Sequence, residues 1–278
     1  MCGSDRLRGS RIKLTHYPPP ARPAFAAAVF DMDGLLVDSE PLWHEAEVDI
    51  LGRLGVPLAP SGCRQTKGMF VGEVTRYWNE RYPWTGPGTD EVAAEVVDRV
   101  MELVVARGRL QPGALLTVER CRRRGLAMAV ASSSEHRLIS LVLDRFDLAG
   151  WFEVVHSAEH EAFGKPHPAV FLTTAARLGV PPERCLVFED APAGVLAAKA
   201  ARMACIAVPE PAERERPAFA IADAVLGSLE EADDALLDRV AAAHLADPFA
   251  APGADPRPAP AATPRPAPVH GPGASGTS

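Results

Sequence analysis

The stretch Ala26-Ala27-Ala28-Val29-Phe30-Asp31-Met32-Asp33-Gly34 decides how the rest of the chain is read. Five apolar residues make a short run suited to a strand buried on both faces, and the polar pair that follows then stands at its C-terminal end. Gly34 lets the chain turn sharply there. Two carboxylates two residues apart suit metal-assisted phosphoryl transfer, one attacking while the other moves protons. Read alone, the same residues also make an ordinary strand-to-loop turn, where Asp and Gly are common.

Working outward, further short apolar runs at 126–131, 152–156, 185–188 and 205–208 alternate with helical patterns such as 138–146 and 169–178. That alternation predicts an α/β fold with a doubly wound parallel sheet and active residues at the C-terminal ends of its strands. The first interval breaks the rhythm: more than ninety residues separate Asp33 from the second run. Within it, 42–54 (stopped by Gly55), 72–82 and 90–107 read as helices, the last with Val92, Val96, Val100 and Val104 at i, i+4 spacing. We therefore expect a catalytic core from 25–41 and 111–245, with 42–110 inserted as a helical cap. Residues 1–24 are basic and Pro-containing and 246–278 are Pro/Ala/Gly-rich, so both are expected to be disordered tails.

With 278 residues, 47% of them hydrophobic, the chain can bury a substantial core. Its net charge is −7, and because 1–24 carries an excess of four positive charges, the body is near −11. Such an acidic body is a poor nucleic-acid binder and meets a phosphorylated ligand only through local positive groups or a bound cation. Five cysteines without a C-x-x-C pair signal neither a disulfide framework nor a zinc cluster. No apolar stretch has membrane-spanning length, and the basic N-terminus lacks a following apolar segment, so the expected location is the cytoplasm, with no membrane partner.

The chemistry becomes specific when the ends of the runs are read together. Ser132-Ser133-Ser134 follows the second run, Gly164-Lys165-Pro166 lies beyond the third, and Glu189-Asp190 follows the fourth. Ser132 can hydrogen-bond a phosphoryl oxygen, Lys165 can neutralise charge that develops on transfer, and Asp190 with Asp31 can hold Mg²⁺. Lys165 is one of only four lysines in an arginine-rich chain, which argues against a generic surface role.

These motifs carry a family resemblance. Residues 31–40 (DMDGLLVDSE), Val130-Ala131-Ser132, Gly164-Lys165-Pro166-His167-Pro168 and Phe188-Glu189-Asp190 resemble, in order and spacing, the four motifs of the haloacid dehalogenase-like hydrolases. Within them the helical-cap phosphatases are indicated. Ser39-Glu40-Pro41-Leu42-Trp43, residues 82–87 (YPWTGP) and Lys199-Ala200-Ala201-Arg202-Met203 look like the hexitol and 2-deoxyglucose-6-phosphate phosphatases. The resemblance implies Asp31 as a nucleophile forming an aspartyl-phosphate, and Asp33 as the acid and then the base. It implies Mg²⁺ held by Asp31, the Asp33 carbonyl and Asp190, with Glu189 nearby through water, and a phosphate cradle of backbone amides around Asp33, Gly34 and Ser133. One departure stands out: Ala191 follows the acidic pair where many relatives carry Ser or Thr.

The expectation is thus a monomeric, Mg²⁺-dependent phosphomonoesterase acting on a small phosphorylated metabolite, a sugar or sugar-alcohol phosphate. A sugar phosphomutase would use the same core, and a non-catalytic binding protein could share the fold. Trp43, Trp78, Tyr82 and Trp84 fit a cap core, while Trp43, Trp84 and Arg76 are the candidates for substrate contact from the cap.

Overall fold

Successive residues of a strand point to opposite faces, and in this chain both faces are apolar. In β1 (Ala27–Phe30), Ala28 and Phe30 enter one buried cluster while Ala27 and Val29 enter another. The same division runs through β2 (Ala127–Ser132), β4 (Cys185–Glu189) and β5 (Ala204–Ala207). A sheet sealed on both sides follows. Our computed structural model describes residues 25–245, and the expectations for 1–24 and 246–278 lie outside them.

With β3 (Val154–Ser157) and β6 (Ala224–Val225), six parallel strands run in the order β3-β2-β1-β4-β5-β6. Helices α5 (Ala114–Arg123), α6 (His136–Arg145) and α9 (Asp234–Leu245) bury side chains in the first cluster. Helices α7 (Ala169–Leu178) and α8 (Pro192–Ala200) fill the second. This is the doubly wound α/β sandwich expected. The chain winds one way from β1 to β2 and the other way beyond β4, so a crevice opens at the C-terminal ends of β1 and β4. Phe30 stacks on Phe188 across that strand pair, with ring centroids 4.8 Å apart, and the Asp31 amide donates to the Phe188 carbonyl at 3.0 Å.

Between β1 and β2 the chain makes the long excursion that its length required. It contains α1 (Glu40–Arg53), α2 (Pro60–Cys63), α3 (Val71–Arg81) and α4 (Thr89–Arg107). Helix α4 buries Val92, Val96, Val100 and Val104, the stripe read from the sequence, and both α1 and α3 pack on it. The outgoing and returning strands of chain touch: Val37 bridges Leu110, Asp38 donates to the Arg109 carbonyl at 2.9 Å, and Gln111 donates to the Leu36 carbonyl at 2.9 Å. Tyr82 departs from the expected cap core, being 42% exposed. Among the described residues no helix is long and apolar enough to cross a membrane, and Cys63, Cys121, Cys185 and Cys205 are free and buried.

Candidate active site

Asp31 directly follows β1 and Glu189 ends β4, side by side at the crevice. The Lys165 ammonium sits between them, 2.6 Å from Asp31 Oδ1 and 2.6 Å from Glu189 Oε1, and donates also to the Ala131 carbonyl at 3.1 Å. Its side chain is 2% exposed. A charge so deeply buried is tolerable only because it is fully paired. Burial pushes the Asp31 carboxyl well above the usual range; Lys165 pulls it back, while Glu189, Asp190 and Asp33 push it further up.

Asp33 has a different environment. Its Oδ1 accepts from the Ser39 hydroxyl at 2.7 Å and from Trp43 Nε1 at 2.8 Å, and its Oδ2 accepts from the Ser134 hydroxyl at 2.6 Å. Three neutral donors from the excursion and the β2 loop therefore fix one carboxylate. Trp43 is at the site, as one reading of the sequence allowed.

Ser132, buried at the end of β2, lines the same cavity and accepts the Ser134 amide at 3.0 Å. One expectation for the phosphate cradle changes. The Gly34 amide donates within its own turn to the Val37 carbonyl at 2.9 Å, so it is not free for a ligand. What Gly34 supplies is space: at φ 74° it has a left-handed backbone, and a Cβ there would collide with Asp190 Oδ2. The Ser133 hydroxyl donates to the Gly68 carbonyl at 2.9 Å, joining the β2 loop to the α2–α3 loop.

Arg76 does not reach the site. Helix α3 buries Val71, Val74, Thr75 and Trp78, which turns Arg76 to the outer face. There its side chain is 53% exposed and pairs with Asp90 at 3.7 Å. Trp84 likewise lies away from the cavity and donates its Nε1 to the Pro87 carbonyl at 3.0 Å.

The excursion contributes residues that the sequence reading did not single out. Lys67, with a side chain 2% exposed, reaches down to Asp190 Oδ2 at 2.7 Å and also to Glu210 at 3.2 Å. The rarity of lysine, used for Lys165, was an equally good signal for Lys67. Helix α1 turns Glu40, Trp43, His44 and Glu47 into the cavity. Burial pushes the Glu40 carboxyl up to about 8, with Lys67 opposing, and the Glu47 carboxyl up to about 7.

Carboxylate oxygens of Asp31, Glu189 and Asp190 lie within 4.8 Å of one another. Both Glu189 oxygens are already engaged, Oε1 by Lys165 and Oε2 by the amides of Asp190 at 2.8 Å and Ala191 at 3.0 Å. That leaves Asp31 and Asp190 as the carboxylates with lone pairs to offer. Asp190 is buried and its pKa, like that of Asp31, is raised well above normal by burial. An all-oxygen donor set with uncompensated negative charge fits a hard divalent cation.

The sequence and the fold have counterparts among known proteins. Residues 25–202 match the model of the haloacid dehalogenase-like hydrolases. The chain belongs to that family. Hexitol phosphatase B of Escherichia coli strain K12 is 43% identical to this hydrolase over 206 residues, 74% of the chain and 93% of that enzyme. The solved structure of CbbY from Rhodobacter sphaeroides in complex with phosphate matches it with a TM-score of 0.68 at 27% identity, covering 77% of this chain and 99% of that one. A β-phosphoglucomutase from Clostridium difficile, at 20% identity and TM-score 0.70 over 80% of this chain and 99% of its own, shares the fold. As an enzyme, this hydrolase is a phosphatase.

Proposed function

We propose that this hydrolase is a Mg²⁺-dependent phosphomonoesterase of small sugar and sugar-alcohol phosphates, working through an aspartyl-phosphate. The observation that carries the reading is the contrast between two aspartates two residues apart: Asp31 is buried against Lys165, whereas Asp33 is held by Ser39, Trp43 and Ser134 at the mouth of the excursion. One is placed to attack and the other to handle protons.

The carboxylate of Asp31 attacks phosphorus, the bond from phosphorus to the sugar oxygen breaks, and Asp33 gives that oxygen its proton. Water then attacks the phosphorus of the acyl phosphate, passes its proton to Asp33, and inorganic phosphate leaves as Asp31 is regenerated. Lys165 and the Ser132 hydroxyl hold phosphoryl charge during both transfers. Asp31, the Asp33 carbonyl and Asp190 would hold Mg²⁺, which supplies offsetting charge and polarises the phosphoryl group. Glu189 positions Lys165 and the turn after β4.

Helices α1 to α4 act as a cap. The cavity over the acids has a volume of about 60 Å³, room for a few waters, so a whole sugar phosphate needs the helices to lift. The paired linkers at Val37 and Leu110 are the natural hinge. Beside the cavity a groove of about 730 Å³, which shares Lys67, Met69 and Lys165 with it, offers the way in. The four buried free thiols agree with a reducing cytoplasm.

Phosphate release from hexitol and hexose phosphates by the full chain tests this reading. EDTA-treated protein is expected to be inactive and to recover on addition of Mg²⁺. Full activity in metal-free buffer, or an isomerised sugar phosphate in place of free phosphate, would contradict it.

A further inference from the structure

Glu40, Trp43, His44 and Glu47 stand at i, i+3, i+4 and i+7 of α1, which puts them on one stripe, and all four line the catalytic cavity. Trp43 reaches the proton-handling Asp33. One turn further from the catalytic aspartates along the helix is Glu47, 7% exposed, whose Oε2 has no hydrogen-bond partner. Its near neighbour is the Cys63 thiol, a weak donor. His44 Nε2, also buried, is without a hydrogen bond, with Glu40 3.6 Å away.

Buried polar atoms in folded proteins are nearly always satisfied, and an unsatisfied one at a cavity wall is an atom waiting for a ligand. A carboxyl oxygen wants O–H or N–H donors. We propose that Glu47, assisted by His44, is a substrate-contacting residue that takes the hydroxyl groups of a neutral polyol, and so selects monophosphates over ligands bearing a second anionic group. The inference rests on the phosphatase reading above and names its substrate class.

The charge around the stripe points the same way. Further along α1 from the catalytic aspartates the wall carries Glu47, and the cation that the excursion lends to the cavity, Lys67, is engaged by Asp190 and Glu210. A phosphomutase passes its phosphoryl group to a second hydroxyl of a sugar monophosphate and must hold the resulting bisphosphate. There this wall offers that second phosphate the carboxyl group of Glu47. With burial holding its pKa near 7, Glu47 presents either a protonated or an ionised carboxyl, and neither form neutralises a phosphate dianion.

The test compares kcat and KM of the Mg²⁺-loaded full chain and its Glu47→Gln variant on a hexitol 6-phosphate, a hexose 1,6-bisphosphate and p-nitrophenyl phosphate. Glu47→Gln keeps the shape and one acceptor, and its unfolding midpoint is recorded alongside. The variant is expected to lose about tenfold more in kcat/KM on the hexitol phosphate than on p-nitrophenyl phosphate, mainly through KM. Its ratio of bisphosphate to monophosphate activity should rise. Equal changes on all three substrates would mean that Glu47 only holds α1 in place, and would overturn the inference while leaving the phosphatase reading intact. Wild-type protein that released phosphate from none of them would overturn both. A second measurement needs no variant: wild-type kcat/KM on hexyl phosphate, which has the same carbon chain without hydroxyls, should be at least about tenfold below that on the hexitol phosphate. Comparable values would overturn the inference.

Discussion

A carboxyl group that is buried without a counter-ion weighs on the folded state as soon as it must ionise, and Glu47 is such a group. Burial raises its pKa from 4.5 to about 7. The folded protein therefore binds this proton more tightly than the unfolded chain does, and the stability Glu47 contributes is greatest below pH 4.5 and is lost as pH rises toward 7. Glu47→Gln cannot titrate. Between about pH 5 and about pH 8 the unfolding free energy of the wild type should fall by about 2–3 kcal/mol relative to that variant, as read by urea denaturation. A difference constant with pH would show that Glu47 is solvated. At this scale the sequence was legible where residue type and strand end coincide: Asp31, Asp33, Ser132, Lys165, Glu189 and Asp190 all meet in one space. It was not legible where a helix face decides, because periodicity alone places neither the face of Arg76 nor that of Glu47 relative to strands distant in the chain.

Among elements, the α2–α3 loop is where the excursion meets the core. Gly68 carries φ 80°, its carbonyl takes the Ser133 hydroxyl, and a Cβ would stand 3.0 Å from the Ala191 side chain. Ala191 thus stands close behind the cap loop and leaves little room for a side chain at position 68. Gly68→Ala adds left-handed strain of about 1–2 kcal/mol and bulk at the contact, so the closed arrangement should form less readily. We expect kcat/KM to fall about tenfold on hexitol phosphate and p-nitrophenyl phosphate alike, with the protein still folded by circular dichroism. Unchanged rates would mean that closure does not depend on this loop. The longer elements could be read in advance because their periods had room to repeat, as in the valine stripe of α4. Helix α2, with four residues, and β6, with two, had no such room, and tertiary contacts decide them.

Across the whole molecule, the sheet order brings the ends of β1 and β4 together, and the excursion returns beside its own exit so that α1 to α4 stand over that junction. Alternation foretold the doubly wound sheet. What it could not foretell was how the two halves are matched in charge, with Lys67 descending onto Asp190 while Lys165 rises between Asp31 and Glu189. The central claim is that Asp31 carries the phosphoryl group between the two half-reactions. Asp33→Asn impairs both proton transfers, but with an activated leaving group that needs little protonation attack stays possible and mainly the hydrolysis is lost, so this variant should accumulate the intermediate. The direct measurement is to mix Asp33→Asn with Mg²⁺ and p-nitrophenyl phosphate labelled at phosphorus, quench in acid, and map the label by peptide mass spectrometry. Label is expected on Asp31, and none in an Asp31→Asn control or in EDTA. An unlabelled protein, together with Asp31→Asn turning over at the wild-type rate, would contradict it.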